Sequence, residues 1–330
     1  MGIIRKIQRK VNYYYREIIA CEQYPMLTST NRKEWQEKGA LGLVFMMHHI
    51  MNKNPNGIPT NEDLKVSPEF LDKIICRYRK QGFVFISLAE LYEIITKEKT
   101  CRQPFVVFTI DDGYLDNYTT ALPVFERQNV PFAIFVATDF IDKKAILWWD
   151  CLEDLIMTND SIVTNDGICY PCKTFQQRWD TFRFLRERIL NLDQQNLEFE
   201  LNKTFANYRI NWREPILQKG MSWDQVKELA NHPLCTIGGH SVSHPALSSL
   251  NDLNVYKEIK EGKERIEEMI NRPIYYFAYP YGTPNEVGNR EYEIVEKLGF
   301  KLAFCAHGGC ITNNNTSNSR RLTRVYLHQS

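Results

Sequence analysis

At 330 residues the chain exceeds a typical single domain, yet a hydrophobic fraction of 43% with 12% aromatics suffices for one large core and excludes a disordered protein. A formal net charge of +1 gives no general attraction to nucleic acid, and no run of about eighteen apolar residues is present to span a bilayer. The nine scattered cysteines do not describe a secreted disulfide framework and point to a reducing compartment. Cys169-Tyr170-Pro171-Cys172 has no second pair at zinc-ribbon distance and reads as a turn.

Residues 1–38 read as a basic amphipathic helix and linker. Ile4, Ile7, Val11, Tyr14 and Ile18 recur at helical spacing among Arg5, Lys6, Arg9, Lys10 and Arg16. The apolar stripe either packs on the main domain or rests on an anionic membrane surface. The opening lacks the apolar core and cleavage site of a secretory signal, so the expected location is cytoplasmic, with peripheral contact at the inner membrane surface.

Residues 39–330 read as one domain. Leu41 to Met47 is a core strand whose tip carries His48 and His49. A helix from Pro68 to Tyr78, a strand from Phe83 to Ile86, a helix from Leu88 to Ile95 and a strand from Phe105 to Ile110 follow, then a helix near Ala121 to Gln128 and a strand from Ala133 to Val136. From about 142 to 222 the pattern changes to long polar helical stretches without a strong strand, an expected helical insertion. Alternation resumes with a helix at 223–231, a strand from Leu234 to Gly239, a helix at 253–271, a strand from Ile274 to Ala278 and a helix at 291–298. Short strands at 302–305 and 325–327 end the chain. Such alternation implies parallel β-α units, with chemistry at the C-terminal strand ends.

Two features land there. Thr109-Ile110-Asp111-Asp112-Gly113 sets two carboxylates side by side at a strand tip, where a metal, a proton or a substrate must relieve their repulsion. His240-Ser241-Val242-Ser243-His244 supplies two imidazoles able to reach one ion. Two histidines and one carboxylate leave positions open for water and a substrate oxygen, and the remaining carboxylate is left for base chemistry.

These motifs resemble those of the NodB-type polysaccharide deacetylases, carbohydrate esterase family 4, whose Thr-Phe-Asp-Asp-Gly is matched by Thr109 to Gly113 and whose His-Ser/Thr-x-x-x-His is approximated by His240 to His244. The resemblance implies an α/β fold, a distorted (β/α) barrel carrying a helical insertion. It implies Asp111 as general base and Asp112, His240 and His244 as ligands of a divalent metal, zinc or a similar ion. The third motif, Arg-x-Pro-Tyr-Gly, is kept in Ala278-Tyr279-Pro280-Tyr281-Gly282 without its arginine, and the Tyr281 N–H is the implied oxyanion donor. Arg320, Arg321 or Arg324 are candidates to replace the arginine, although arginines near a terminus are more often solvated.

The usual late histidine acid has no clean copy. His48 is favoured over His307 because Phe45 to Ile50 resembles the first-strand segment of permuted relatives, with His49 its outward-facing neighbour. Tyr279 and Trp148 are the expected substrate contacts; Trp148-Trp149 reads equally as a sugar platform or as an anchor of the insertion. The implied activity is hydrolytic removal of an N-acetyl group from an amino sugar in a glycan or lipid-linked glycan precursor, as in capsule or lipopolysaccharide assembly. The alternatives are a glycan-binding protein with a decayed site, or an amide hydrolase acting on a small formylated or cyclic substrate.

Overall fold

The computed structural model describes residues 39–100, 102–312 and 318–329. The expected amphipathic helix in 1–38 lies outside the described residues. Among the described residues no helix is long and apolar enough to cross a membrane.

Among the described residues, thirteen strands occur in chain order: β1 Ala40–Met47, β2 His49–Ile50, β3 Lys65–Val66, β4 Val84–Phe85, β5 Phe105–Asp112, β6 Phe132–Val136, β7 Ser161–Val163, β8 Cys169–Pro171, β9 Cys235–Gly239, β10 Tyr276–Ala278, β11 Leu302–Phe304, β12 Ile311–Thr312 and β13 Val325–Tyr326. Nine of them form one sheet in the order β11-β10-β9-β6-β5-β1-β12, with β13 also on β1 and β4 on β5. Every pairing is parallel except β12 against β1. The sheet curls into a half-barrel with helices, the distorted (β/α) class expected.

All eight residues of β5 are buried, as befits a central parallel strand covered on both faces. The connecting helices start where the sequence supplies caps. Ser67 accepts from Phe70 N–H with Pro68 at the first helical position of Pro68–Lys80, and Ser87 with Glu90, and Ser222 with Gln225, close capping boxes. Parallel strands therefore deliver His48, Asp111 and Asp112, His240 and the 279–282 loop to one rim.

Between β6 and β9 the chain leaves the sheet. The helices Trp148–Thr158, Phe175–Leu190, Leu197–Thr204 and Glu214–Lys219 follow, and most of this stretch packs around a core of its own, with Leu152, Phe182, Leu185, Leu201 and Trp212 buried together. Here one expectation is corrected. Cys169-Tyr170-Pro171 is not a turn but strand β8, paired antiparallel with β7, and Cys169 and Cys172 are unbridged. Strands of three residues are too short to show a period; the readable signal was the turn Asp166-Gly167, where Gly167 sits at φ +78°.

Candidate metal and proton-transfer site

Asp111 and Asp112 end β5 pointing to opposite sides, and each meets a different set of partners. Oδ1 of Asp112 lies 3.3 Å from Nε2 of His240 and 3.4 Å from Nε2 of His244, is buried, and has no hydrogen-bond partner. One ligand atom from each residue falls within 4.8 Å of the others. Nδ1 of His240 is 2.7 Å from the carbonyl of Ala278, which fixes the proton there and turns the Nε2 lone pair towards Asp112. Burial pushes His244 down to about 4, with Asp112 opposing, so its imidazole is neutral near neutral pH. Burial alone would raise Asp112, but His244, His240 and His48 outweigh it and hold the carboxyl well below the usual carboxylate range. Imidazole lone pairs aimed at a carboxylate oxygen repel it unless a cation lies between them, so these three residues fit a divalent metal.

The backbone around the site is strained. Asp112 (φ 78°), Ser241 (φ 68°), His244 (φ 59°) and Tyr281 (φ 57°) all occupy the left-handed region that L side chains rarely adopt. The histidine loop is pinned from below: Val242 and Ser243 N–H donate to Glu258 Oε2 at 3.0 and 2.9 Å, and the Ser243 hydroxyl donates to Oε1 at 2.8 Å. The helix Asp252–Ile270 carries Glu258 and also approaches the loop through Gly262, where a Cβ would fall 2.8 Å from the Ser241 carbonyl. No sequence signal marked Glu258, one of several glutamates on a polar helix.

Asp111 faces the other way. Arg324 clamps it with two parallel bonds of 2.7 Å and also donates to Thr109 Oγ1 and the Cys305 carbonyl. Arg324 is 1% exposed. The lean towards solvated arginines is thus corrected for this one: β13 pairs with β1 and carries the residue before it into the core, whereas Arg320 binds the Lys301 carbonyl and Arg321 is exposed. Burial raises the pKa of Asp111, but Arg324 overrides it, so the carboxyl stays ionised below its usual range.

His48 stands beyond the end of β1, with its carbonyl held by Asn117 Nδ2 at 2.8 Å and its Nδ1 buried without a partner. Burial lowers its pKa, Asp112 and Asp111 work against that, and Arg324 and His49 add to it; His48 therefore sits within electrostatic reach of both carboxylates. His307 does not join them: it lines a separate cleft with Tyr292, Arg321 and Thr323. His49 is not outward-facing, because its Nδ1 lies 2.7 Å from Asp116 Oδ2 and its ring 3.8 Å from that of Tyr114.

Tyr281 packs its ring 4.8 Å from His244, and its N–H donates to no group among the described residues. The expected substrate contacts are corrected. Tyr279 is 1% exposed, donates its hydroxyl to the Arg320 carbonyl and packs on Phe277 and Tyr292. Strand alternation puts it with Phe277 on the helix-covered face. Trp148 is buried in the insertion core and lies behind the site, with its ring edge-on to that of Trp149 at 5.4 Å. One residue further around the helix, Trp149 faces the histidine loop, with its ring 5.9 Å from His244 and its Nε1 donating to the Tyr114 hydroxyl at 3.2 Å.

The comparisons with known proteins bear on the family and the fold. The family model for polysaccharide deacetylases matches residues 98–303. YxkH of Bacillus subtilis (strain 168), which bears the same family name, is 19% identical over 289 residues, covering 88% of this chain and 73% of its own. Among solved structures, the Streptococcus pyogenes deacetylase PplD in complex with acetate has a TM-score of 0.57 at 17% identity, covering 88% of this chain and 92% of that one. IcaB from Ammonifex degensii has a TM-score of 0.57 at 17% identity, covering 88% and 93%. The chain belongs to the polysaccharide deacetylase family, hydrolases of N-acetyl amide bonds.

Proposed function

We propose that this chain is a metal-dependent hydrolase that removes the N-acetyl group of an amino sugar within a glycan or lipid-linked glycan precursor. The observation that carries the reading is the division of the Asp111–Asp112 pair, one carboxylate facing two histidines and the other locked to a buried arginine. A binding protein with a decayed site would have no use for that division.

Asp112, His240 and His244 are the residues to hold a divalent ion; their nitrogen and oxygen donors suit zinc. When bound, the ion polarises the amide carbonyl and acidifies a water. Asp111, kept ionised by Arg324, takes the proton of the attacking water; each of its oxygens keeps a lone pair beyond the one Arg324 uses. The Tyr281 N–H donates to the oxygen that becomes negative as the carbonyl carbon turns tetrahedral. His48 delivers a proton to the departing nitrogen as the C–N bond breaks, leaving acetate and a free amine.

The test is metal analysis joined to an acetate-release screen over free, oligomeric and lipid-linked N-acetyl sugars, with formate release as the competing readout. Asp112→Ala should lose bound metal and acetate release together. Full activity in that variant would sink the site assignment.

A further inference from the structure

We propose that the cleft lined by His307, Arg321 and Thr323 binds a phosphate group. The inference goes beyond the reading above and does not depend on it. The cleft has a volume of about 450 Å³ and lies past the ends of β10 and β11, where Asn289, Tyr292 and Asn318 complete its polar lining. The 279–282 loop stands between it and the metal-facing site. Tyr281 packs against His244 on one side, while the Gly282 carbonyl accepts from the N–H of Ala306, the residue before His307, at 2.8 Å.

No carboxylate lines this cleft. Of the three arginines near the C-terminus, Arg324 is bound to Asp111 and Arg320 to the Lys301 carbonyl, whereas Arg321 makes no ion pair or side-chain hydrogen bond among the described residues. An exposed arginine alone marks nothing, since water satisfies it. The buried atoms beside it are different: Nδ1 of His307 and Oγ1 of Thr323 both lack a partner, so the cleft holds polar atoms that no protein group satisfies. Burial raises the pKa of Tyr292 and lowers that of His307, and the Arg321 charge lowers both, which places the guanidinium within reach of two walls. An anion there pairs with Arg321, accepts from the Thr323 hydroxyl and offsets the charge that disfavours a protonated His307.

Phosphate fits these donors better than a carboxylate does. They come from three segments: Asn289 from the start of the helix Asn289–Lys297, His307 from the loop after β11, and Arg321 with Thr323 from the C-terminal segment. A tetrahedral group presents oxygens to all three, where a planar carboxylate has only two. The helix end is not the anchor, because Gly288 N–H is taken by Glu291 Oε2 at 2.7 Å and Glu291 Oε1 is held by Arg290. The volume exceeds the need of a bare ion, so the phosphate comes as an ester or diphosphate of a larger molecule.

The experiment uses the full chain loaded with its divalent metal and carrying nitrogen-15-labelled histidine. Inorganic phosphate, N-acetylglucosamine 1-phosphate and acetate are titrated in turn at constant ionic strength, and the ring-nitrogen signals of His307, identified by their loss in His307→Gln, are followed. Both phosphates should shift these signals, the ester at lower concentration, and acetate should not. Arg321→Ala should raise the dissociation constant about 10- to 100-fold, and Arg321→Lys should recover part of the loss. Arg321 is exposed, so its variants should fold; Thr323→Val, which removes only a hydroxyl, should weaken binding in the same direction and gives a second reading. His307 signals indifferent to phosphate, equal binding in Arg321→Ala, or acetate bound as well as phosphate overturns the site. Shifts confined to His240 and His244 would put the phosphate on the metal and overturn it too. Acetate release then separates two sources of the phosphate. If the substrate carries it, N-acetylglucosamine 1-phosphate has a lower KM than N-acetylglucosamine and Arg321→Ala removes the advantage; if a separate ligand carries it, the two sugars share one KM. Acetate release from neither sugar would remove the deacetylase reading and leave the phosphate titration standing.

Discussion

The metal-facing side of the site, Asp112 with His240 and His244, and its proton-handling side, Asp111 with His48 and Arg324, meet at the end of β5 but are assembled over different spans of chain. The two histidines are four residues apart on one loop, aimed by positive-φ backbone and by the carboxylate of Glu258. Arg324 lies 213 residues from Asp111 and arrives there because β13 pairs with β1, matching Phe45 with Val325 and Met46 with Tyr326. His48 comes from the tip of the same β1. One side is therefore a local backbone construction and the other a product of sheet closure. The two should be separable by substitution, because their positioning contacts are distinct: the histidine loop rests on Glu258, whereas Asp111 rests on Arg324.

The largest separation is expected at His48. His48→Ala removes the proposed proton donor without touching the three ligand residues, so kcat should fall by about 10²–10⁴ while bound metal stays at the wild-type level. Metal content by elemental analysis, measured beside acetate release, checks this. Loss of metal along with activity would mean that the two sides are not independent. Wild-type turnover would mean that the proton comes from elsewhere.

Arg324 tests the proton-handling side through stability. Its removal leaves the Asp111 carboxylate buried without a counter-charge, a change that costs about 3–5 kcal/mol for buried pairs. Arg324→Met should lower the denaturation midpoint accordingly and raise the pKa of Asp111, since the cation that overrides burial is gone. Arg324→Lys should recover little, because an ammonium cannot make two parallel bonds. Adding Asp111→Asn to Arg324→Met should return much of the stability and none of the turnover. Equal instability of the single and double variants would show that Arg324 acts through packing on Phe135 and the Cys305 carbonyl rather than through charge.

The same contrast explains how far the sequence could be read. The strand-end carboxylates and the His-x-x-x-His loop are short motifs whose residues act close to where they are written, and the alternation of strands and helices around them gave the fold. Arg324 was legible only as one of three candidates near the C-terminus, because the pairing of β13 with β1 is a long-range event that no local pattern encodes. Tyr279 and Trp148 misled for a related reason. Each sits one or two residues from a side chain that does face the site, Tyr281 or Trp149, and the difference is set by strand alternation or by a hundred-degree step along a helix. Glu258 had no signal, since its role depends on a helix docking under the histidine loop.

Glu258 also gives the smallest and most discriminating test of the comparison. Its carboxylate accepts from two of the three backbone N–H groups between the two histidines and from the Ser243 hydroxyl, so Glu258→Ala takes away the one group that ties these donors to the helix beneath. Metal affinity should weaken by about 10–100-fold, the usual effect of losing a group that orients a ligand from behind. Turnover at saturating metal should change far less, because Asp111, Arg324 and His48 do not lean on this loop. Glu258→Gln, which keeps one acceptor oxygen, should fall between wild type and alanine. The d–d spectrum of the cobalt-substituted protein reports the ligand geometry directly: a displaced loop changes the spectrum, whereas a general loss of stability lowers occupancy without altering its shape. If affinity and spectrum both survive Glu258→Ala, the strained backbone alone aims the histidines. The metal-facing side would then be more self-contained than its hydrogen bonds suggest.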